Sequence, residues 1–180
     1  TPCPYPLLAG QTSAYGDETM FGPEIIAQPV DLSQSGTLKQ MGFYMTEDGD
    51  SSPRAYGWFL FADANGQPGA LLYASPRLYG NQGLNLAHGQ GLALSAGRYW
   101  VGLNGQHQGS LSAQSPGTAL QLPQPLQVGG DLDPEIFQNA QWQSAGLDLA
   151  VYLELCGAGP TATASETATP SSTATITATT

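Results

Sequence analysis

Positive charge is scarce in this chain. Lys39, Arg54, Arg77 and Arg98 are its only Lys and Arg residues, against fourteen Asp and Glu, which leaves a formal net charge of −10 over 180 residues. That balance argues against a nucleic-acid partner, because neutralising phosphates takes a stripe of basic side chains. It argues equally against docking to anionic lipid. Long apolar runs are missing too: no segment approaches the roughly 20 residues of a spanning helix, so no membrane insertion is expected. Catalytic signatures are also lacking. The chain contains no G-x-S-x-G elbow, no H-E-x-x-H, no phosphate-cradling P-loop and no G-x-G-x-x-G. His88 and His107 stand alone in Gly/Gln-rich loops, with no partner at zinc-ligand spacing, and read as surface residues. No catalytic residue and no resident cofactor are expected, calcium apart.

What remains is turn chemistry between short apolar runs. Charged residues make up only 10% of the chain, while Gly (23) and Pro (14) are abundant, the composition of an all-β domain. A body of about 150 residues buries roughly 70% of its unfolded surface, enough for one domain with a real core. That body is expected over residues 1–157. Strand-like segments run over Glu24–Leu32, Thr37–Thr46, Ala55–Ala62, Ala70–Ala74, Arg98–Leu103 and Leu147–Leu155, each bounded by Gly, Pro, Asp, Asn or Ser clusters. The fold class that follows is an antiparallel, jelly-roll-like β-sandwich with an extended Ser/Thr-rich C-terminal tail. Leu147, Leu149, Val151, Leu153 and Leu155 alternate with Asp148, Ala150, Tyr152 and Glu154 as a half-buried strand does. Trp58-Phe59-Leu60-Phe61 and Leu71-Leu72 read as buried on both sides. Asp131-Leu132-Asp133-Pro134-Glu135 suits the start of a short helical turn, with Pro in the first turn and acids at the N-terminus.

The only two cysteines, Cys3 and Cys156, bracket the expected body. The first and last strands of a sandwich are often neighbours, so a disulfide between them is expected, the alternative being two free buried thiols. Closing so long a loop contributes on the order of 5 kcal/mol in the chain-entropy model. Such a bridge implies an oxidising, extracellular compartment, in which Thr1 reads as the start of a processed chain.

Three segments carry a resemblance: Ala55-Tyr56-Gly57-Trp58-Phe59-Leu60-Phe61-Ala62-Asp63, Gly66-Gln67-Pro68-Gly69-Ala70-Leu71-Leu72, and Leu94-Ser95-Ala96-Gly97-Arg98-Tyr99-Trp100-Val101-Gly102-Leu103. They resemble the bacterial "choice-of-anchor" class of secreted β-sandwich domains, in which an acidic turn, a G-x-P-G-x-L-L hairpin and an L-x-A-G-x-Y-W-V-x-L strand follow one another. The resemblance spans roughly Thr37 to Leu103. It implies surface display or attachment and supplies no catalytic residues. On the residues themselves, Pro68 presets φ and Gly69 tolerates φ > 0, as a type II turn requires.

The tail, residues 158–180, has its own pattern. Thr161, Thr163, Ser165, Thr167, Thr169, Ser171, Thr173, Thr175, Thr177 and Thr179 occupy every odd position without a slip. An extended backbone would present a hydroxyl face and a mostly small apolar face. One reading is a disordered, mucin-like linker. The other is a strand: Thr173 to Thr179 added to a sheet edge of a neighbouring copy, with Ala174, Ile176 and Ala178 inward. A head-to-tail contact of that kind makes filaments when it does not close. The ten odd-position hydroxyls are O-glycosylation candidates under either reading. No Asn is followed two positions later by Ser or Thr, so N-linked sugar is not expected.

Two further segments are candidate binding sites. Glu47-Asp48-Gly49-Asp50 and Asp131-Leu132-Asp133-Pro134-Glu135 are acidic clusters that suit Ca²⁺, with Asp131, Asp133 and Glu135 the candidate ligands; solvated turns and helix caps are the alternative. Tyr56, Trp58, Tyr99, Trp100 and Trp142 suit an aromatic platform for sugar rings, although aromatics in strands are usually core. Trp58 and Trp100 sit in the most apolar segments, which leaves Trp142, between Gln141 and Gln143, as the expected exposed ring. The sequence therefore points to an extracellular or cell-surface structural or adhesive module. Its expected partners are copies of itself through the tail, with glycan binding as the alternative function.

Overall fold

The computed structural model describes residues 3–46, 54–105, 109–126 and 134–157. In chain order the elements are β1 (Pro6–Gly10), β2 (Asp17–Phe21), β3 (Ile25–Leu32), β4 (Gly36–Met45), β5 (Arg54–Asp63), β6 (Pro68–Ala74), β7 (Leu78–Gly80), β8 (Gly83–His88), β9 (Ala93–Leu94), β10 (Gly97–Gly105), β11 (Gly109–Gln114), β12 (Leu120–Leu122), α1 (Glu135–Gln138), β13 (Gln143–Ser144), β14 (Asp148–Leu149) and β15 (Val151–Gly157). They form a two-sheet antiparallel sandwich. In the first sheet β15 lies between β1 and β4, β8 and β9 line the other side of β4, and β11 meets the end of β4 while pairing β2 and β14. The second sheet runs β13-β12-β3-β10-β5-β6, with β7 also on β5.

The period-2 pattern of each long strand decides which side chains meet between the sheets. From the first sheet come Leu38, Met41, Phe43, Val151, Leu153 and Leu155; from the second come Tyr56, Trp58, Leu60, Val101 and Leu103. The alternate residues of the second sheet face outward, yet they are buried. Ile25, Ala27, Phe59, Phe61 and Trp100 form a second apolar cluster with Leu122, Leu126 and Phe137, under the chain that carries α1. Trp58, Phe59, Leu60 and Phe61 are therefore all buried, none more than 1% exposed, as their unbroken apolar run predicts.

Leu71-Leu72 departs from that prediction. Leu72 is 39% exposed, because it is the extra residue at a break in the β5–β6 register, between Leu71 opposite Phe61 and Tyr73 opposite Leu60, on a strand that pairs only with β5. The 147–155 segment departs in the opposite sense. Ala150 and Tyr152 are buried along with the expected Leu149, Val151, Leu153 and Leu155. Tyr152 owes this to Gly42 on the neighbouring strand, where its ring occupies the space a Cβ would take. The expected helical turn forms, with α1 beginning directly after Pro134.

Cys3 and Cys156 are joined by a disulfide, with Cα atoms 5.4 Å apart and 153 residues between them in sequence. The bridge sits where β1 runs beside β15, Pro6 opposite Cys156 and Gly10 opposite Tyr152. A polar clasp ties the sheets at another point. Asp148 Oδ1 accepts from the Thr118 N–H (2.7 Å), the Thr118 hydroxyl (2.8 Å) and Gln28 Nε2 (3.0 Å), while Gln28 Oε1 accepts from the Leu149 N–H (2.8 Å). Burial alone would raise the Asp148 carboxyl, but the hydrogen bonds from Thr118 and Gln28 outweigh it and hold the group below its ordinary value.

Candidate functional site: an aromatic cleft

The outer cluster of the second sheet does not close completely. Where the β5–β6 hairpin faces the α1 segment, a cleft of about 490 Å³ remains, lined chiefly by Gln67, Pro68, Leu71, Pro134, Phe137 and Trp142.

One wall is built by the hairpin turn. Asn65 (φ 57°) and Gly66 (φ 82°) both take positive φ, and the Ala64 and Gln67 backbones exchange hydrogen bonds of 2.8 and 3.3 Å. This is the two-residue type I′ turn for which Asn-Gly is the strongest short signal. The expected type II turn at Pro68-Gly69 does not form. Those two residues already belong to β6, and Gly69 serves close approach, since a Cβ there would lie 2.7 Å from that of Ala64. Asp63 fixes the turn to the sheet: Oδ2 accepts from the Gly66 N–H (3.1 Å) and Oδ1 from Trp100 Nε1 (2.7 Å).

The other wall starts at Pro134, whose φ of −57° and ψ of −22° preset one helical turn. That turn drives Phe137 onto Phe61, ring centroids 5.1 Å apart and edge-on. Trp142 meets the same ring edge-on at 5.7 Å. Trp142 is thus half-buried and anchored, not the freely exposed ring expected from its two glutamine neighbours. Its indole Nε1 is buried with no hydrogen-bond partner among the described residues. The cleft combines a rigid indole, an apolar floor and a carboxamide at Gln67. Such a surface suits a ligand with flat C–H faces and polar edges.

The other expected aromatics do not join this site. Tyr56 and Trp58 point between the sheets, Trp100 packs in the outer cluster, and Tyr99 is half-buried with its hydroxyl donating to the Ser95 carbonyl at 3.1 Å. Burial pushes the Tyr56 phenol up to about 12, in keeping with a core position. Of the calcium candidates, Glu135 lies exposed in the first turn of α1. Asp131 and Asp133, together with the Glu47–Asp50 cluster, His107 and the whole tail, lie outside the described residues. Among the described residues no three His, Cys, Asp or Glu side chains gather as a metal site. His88 is exposed at the end of β8. A second hollow of about 520 Å³ beside Cys156 is lined by Ser35, Thr37, Lys39, Leu94 and small neighbours, with no aromatic ring.

Phe137, Pro134 and Gln67 escaped sequence reasoning. The Asn65-Gly66 pair would have located the hairpin and so placed Gln67; nothing local to Phe137 reveals that it meets Phe61, 76 residues earlier.

No protein-family model matches the sequence, and no curated protein matches it. Solved structures do. The chain is similar to a clostridial cysteine protease, a single-substitution variant of Cwp84 after propeptide cleavage, with a TM-score of 0.60 and 12% identity, over 87% of this chain and 41% of that one. It is similar in the same way to the structure of the cysteine protease and lectin-like domains of Cwp84, a surface layer associated protein of Clostridium difficile. There the TM-score is 0.60 and the identity 13%, over 87% of this chain and 37% of that one. This chain therefore spans about two fifths of the length of these neighbours, and at such identity the likeness is one of fold.

Proposed function

We propose that this chain is an extracellular, surface-associated module that binds glycans in the cleft between the β5–β6 hairpin and the α1 segment. The observation that carries this reading is the half-buried Trp142, held edge-on by Phe61 in the lining of a cleft of mixed apolar and polar surface that Gln67 also lines. A pyranose stacks its C–H face on such an indole and turns its hydroxyls toward the carboxamide and backbone groups. Two further points support the reading. The sandwich fold is shared with a surface layer associated protein whose solved part comprises cysteine protease and lectin-like domains. Both cysteines of this chain are engaged in one disulfide, so they offer no free thiolate on which a cysteine-protease reading of this chain would rest. The Ser/Thr tail is then an extended connector, O-glycosylated on the odd-position hydroxyls from Thr161 to Ser171.

Glycan-array screening of the full chain tests the proposal. Binding to a defined set of saccharides, lost in Trp142→Ala and reduced in Gln67→Ala with the melting temperature of the Gln67 variant unchanged, is the expected result. A full array without a hit, or hits indifferent to both substitutions, would overturn it. Replacing an aromatic anchor of this kind costs roughly 2 kcal/mol, about 30-fold in Kd.

A further inference from the structure

The edges of the two sheets are not treated alike. A sheet edge offers unpaired N–H and C=O groups to any other strand, and natural edges are blunted by shortness, Pro, charge or bulges. Most edges here follow that rule. β1 begins with Pro6, β2 carries Asp17 and Glu18, β6 has register breaks, and β7, β9, β13 and β14 are two or three residues long.

β8 is the exception. Gly83–His88 pairs with β4 on one side and with nothing else among the described residues. The Gly89 N–H donates to the Lys39 carbonyl at 2.7 Å, so in the antiparallel register Ala87, Asn85 and Gly83 bond to β4. Leu84, Leu86 and His88 then direct both backbone groups away from the sheet. Their side chains are exposed too: Leu84 is 46% and Leu86 49% accessible. The strand has no Pro, no Asp, Glu, Lys or Arg and no bulge.

We infer that this edge accepts an extended strand, the Thr173–Thr179 segment of a second copy of the chain. The longest run outside the described residues that lacks Pro, Gly and charge is Ser171–Thr180, which contains this segment. Its Thr and Ile residues favour extended backbone. Strand addition would satisfy the outward N–H and C=O groups of Leu84, Leu86 and His88. Ala174, Ile176 and Ala178 would lie on the outer face beside Leu84 and Leu86, and not toward the sandwich interior as the tail pattern alone suggests. Residues 158–172 intervene after β15, a reach of roughly 50 Å when extended, sufficient to leave one sandwich and arrive at another. Donor and acceptor are different surfaces, so the contact is heterologous and propagates as a chain of subunits. The inference is independent of the glycan cleft.

Complementary variants of the full chain test it in sedimentation velocity from micromolar to millimolar concentration. Leu84→Asp/Leu86→Asp spoils the acceptor while leaving the β4–β8 bonds; Ile176→Asp spoils the donor without touching the sandwich, and the like charges keep the two spoiled surfaces from pairing with each other. The native chain is expected to form concentration-dependent oligomers, each variant alone to sediment as the 18.7 kDa monomer, and an equimolar mixture of the two to form a dimer and nothing larger. Unchanged melting of both variants excludes misfolding, and should the acceptor variant fail to fold, Ile176→Asp alone gives the answer. A native chain that is monomeric throughout, or oligomers that survive Ile176→Asp, would overturn the inference.

Discussion

Replacing Cys3 and Cys156 by serine removes a bridge between residues 153 apart in sequence, and the structure fixes what that should cost. In the chain-entropy model a loop of that length contributes about 5 kcal/mol at 25 °C, by restricting the unfolded ensemble. Little folded-state packing is lost with it, because β1 remains paired with β15 over five residues and Leu7 and Ala9 still pack on the core. The Ser variant should therefore keep the native sandwich while unfolding more easily. Urea unfolding of the oxidised chain and the double-Ser variant, followed by tryptophan fluorescence, measures the difference. An expected loss of about 3 to 5 kcal/mol appears as a lower midpoint, and a steeper m-value reflects a more expanded unfolded state. Reduction should add two hydrogens to the mass of the native chain. A loss below about 1 kcal/mol would refute the assignment of the bridge as the main constraint on the unfolded chain.

Two more outcomes follow from close contacts. Gly117 has no room for a Cβ, which would collide with the backbone of Leu147 and Asp148; Gly117→Ala should cost about 3 kcal/mol, and an unchanged melting temperature would contradict the packing described. Asp148, whose carboxyl is depressed in the folded chain, contributes stability that is fully present above its unfolded value of about 4 and is lost as pH falls through the lower folded value. Asp148→Asn should lower stability at neutral pH by about 1 to 2 kcal/mol, a figure already discounted for partial solvent access. It should also flatten the acid limb of the stability curve, and an unaltered limb would assign the acid sensitivity to other groups.

The fold class was legible in the sequence because its signals are local. Alternation over 147–155, the apolar run at Trp58–Phe61 and the Gly/Pro punctuation each specify strands without reference to a partner. Strands β1, β2, β8 and β11 were not legible. Pro6–Gly10 and Gly83–His88 are short and lack β-branched and aromatic residues, and they are strands because β15 and β4 supply hydrogen-bond partners. Pro-Gly is a strong turn pair, which is why Pro68-Gly69 suggests the hairpin. The Asn65-Gly66 pair just upstream takes the turn instead, and Gly69 is needed for closeness to Ala64.

At the candidate site, the glutamine neighbours of Trp142 suggest full exposure, whereas Phe61 and Phe137 hold the ring half-buried. That outer cluster joins β5 to α1 across most of the sheet's sequence span, and no pattern within either segment announces it.

Calorimetric titration of the full chain and of Trp142→Ala with the array's best soluble oligosaccharide tests glycan binding in the cleft most directly. The predicted result is saturable, one-site binding to the native chain and a Kd weaker by about 30-fold or more in the variant. Equal affinity of the two proteins, or no heat of binding to the native chain, would contradict it.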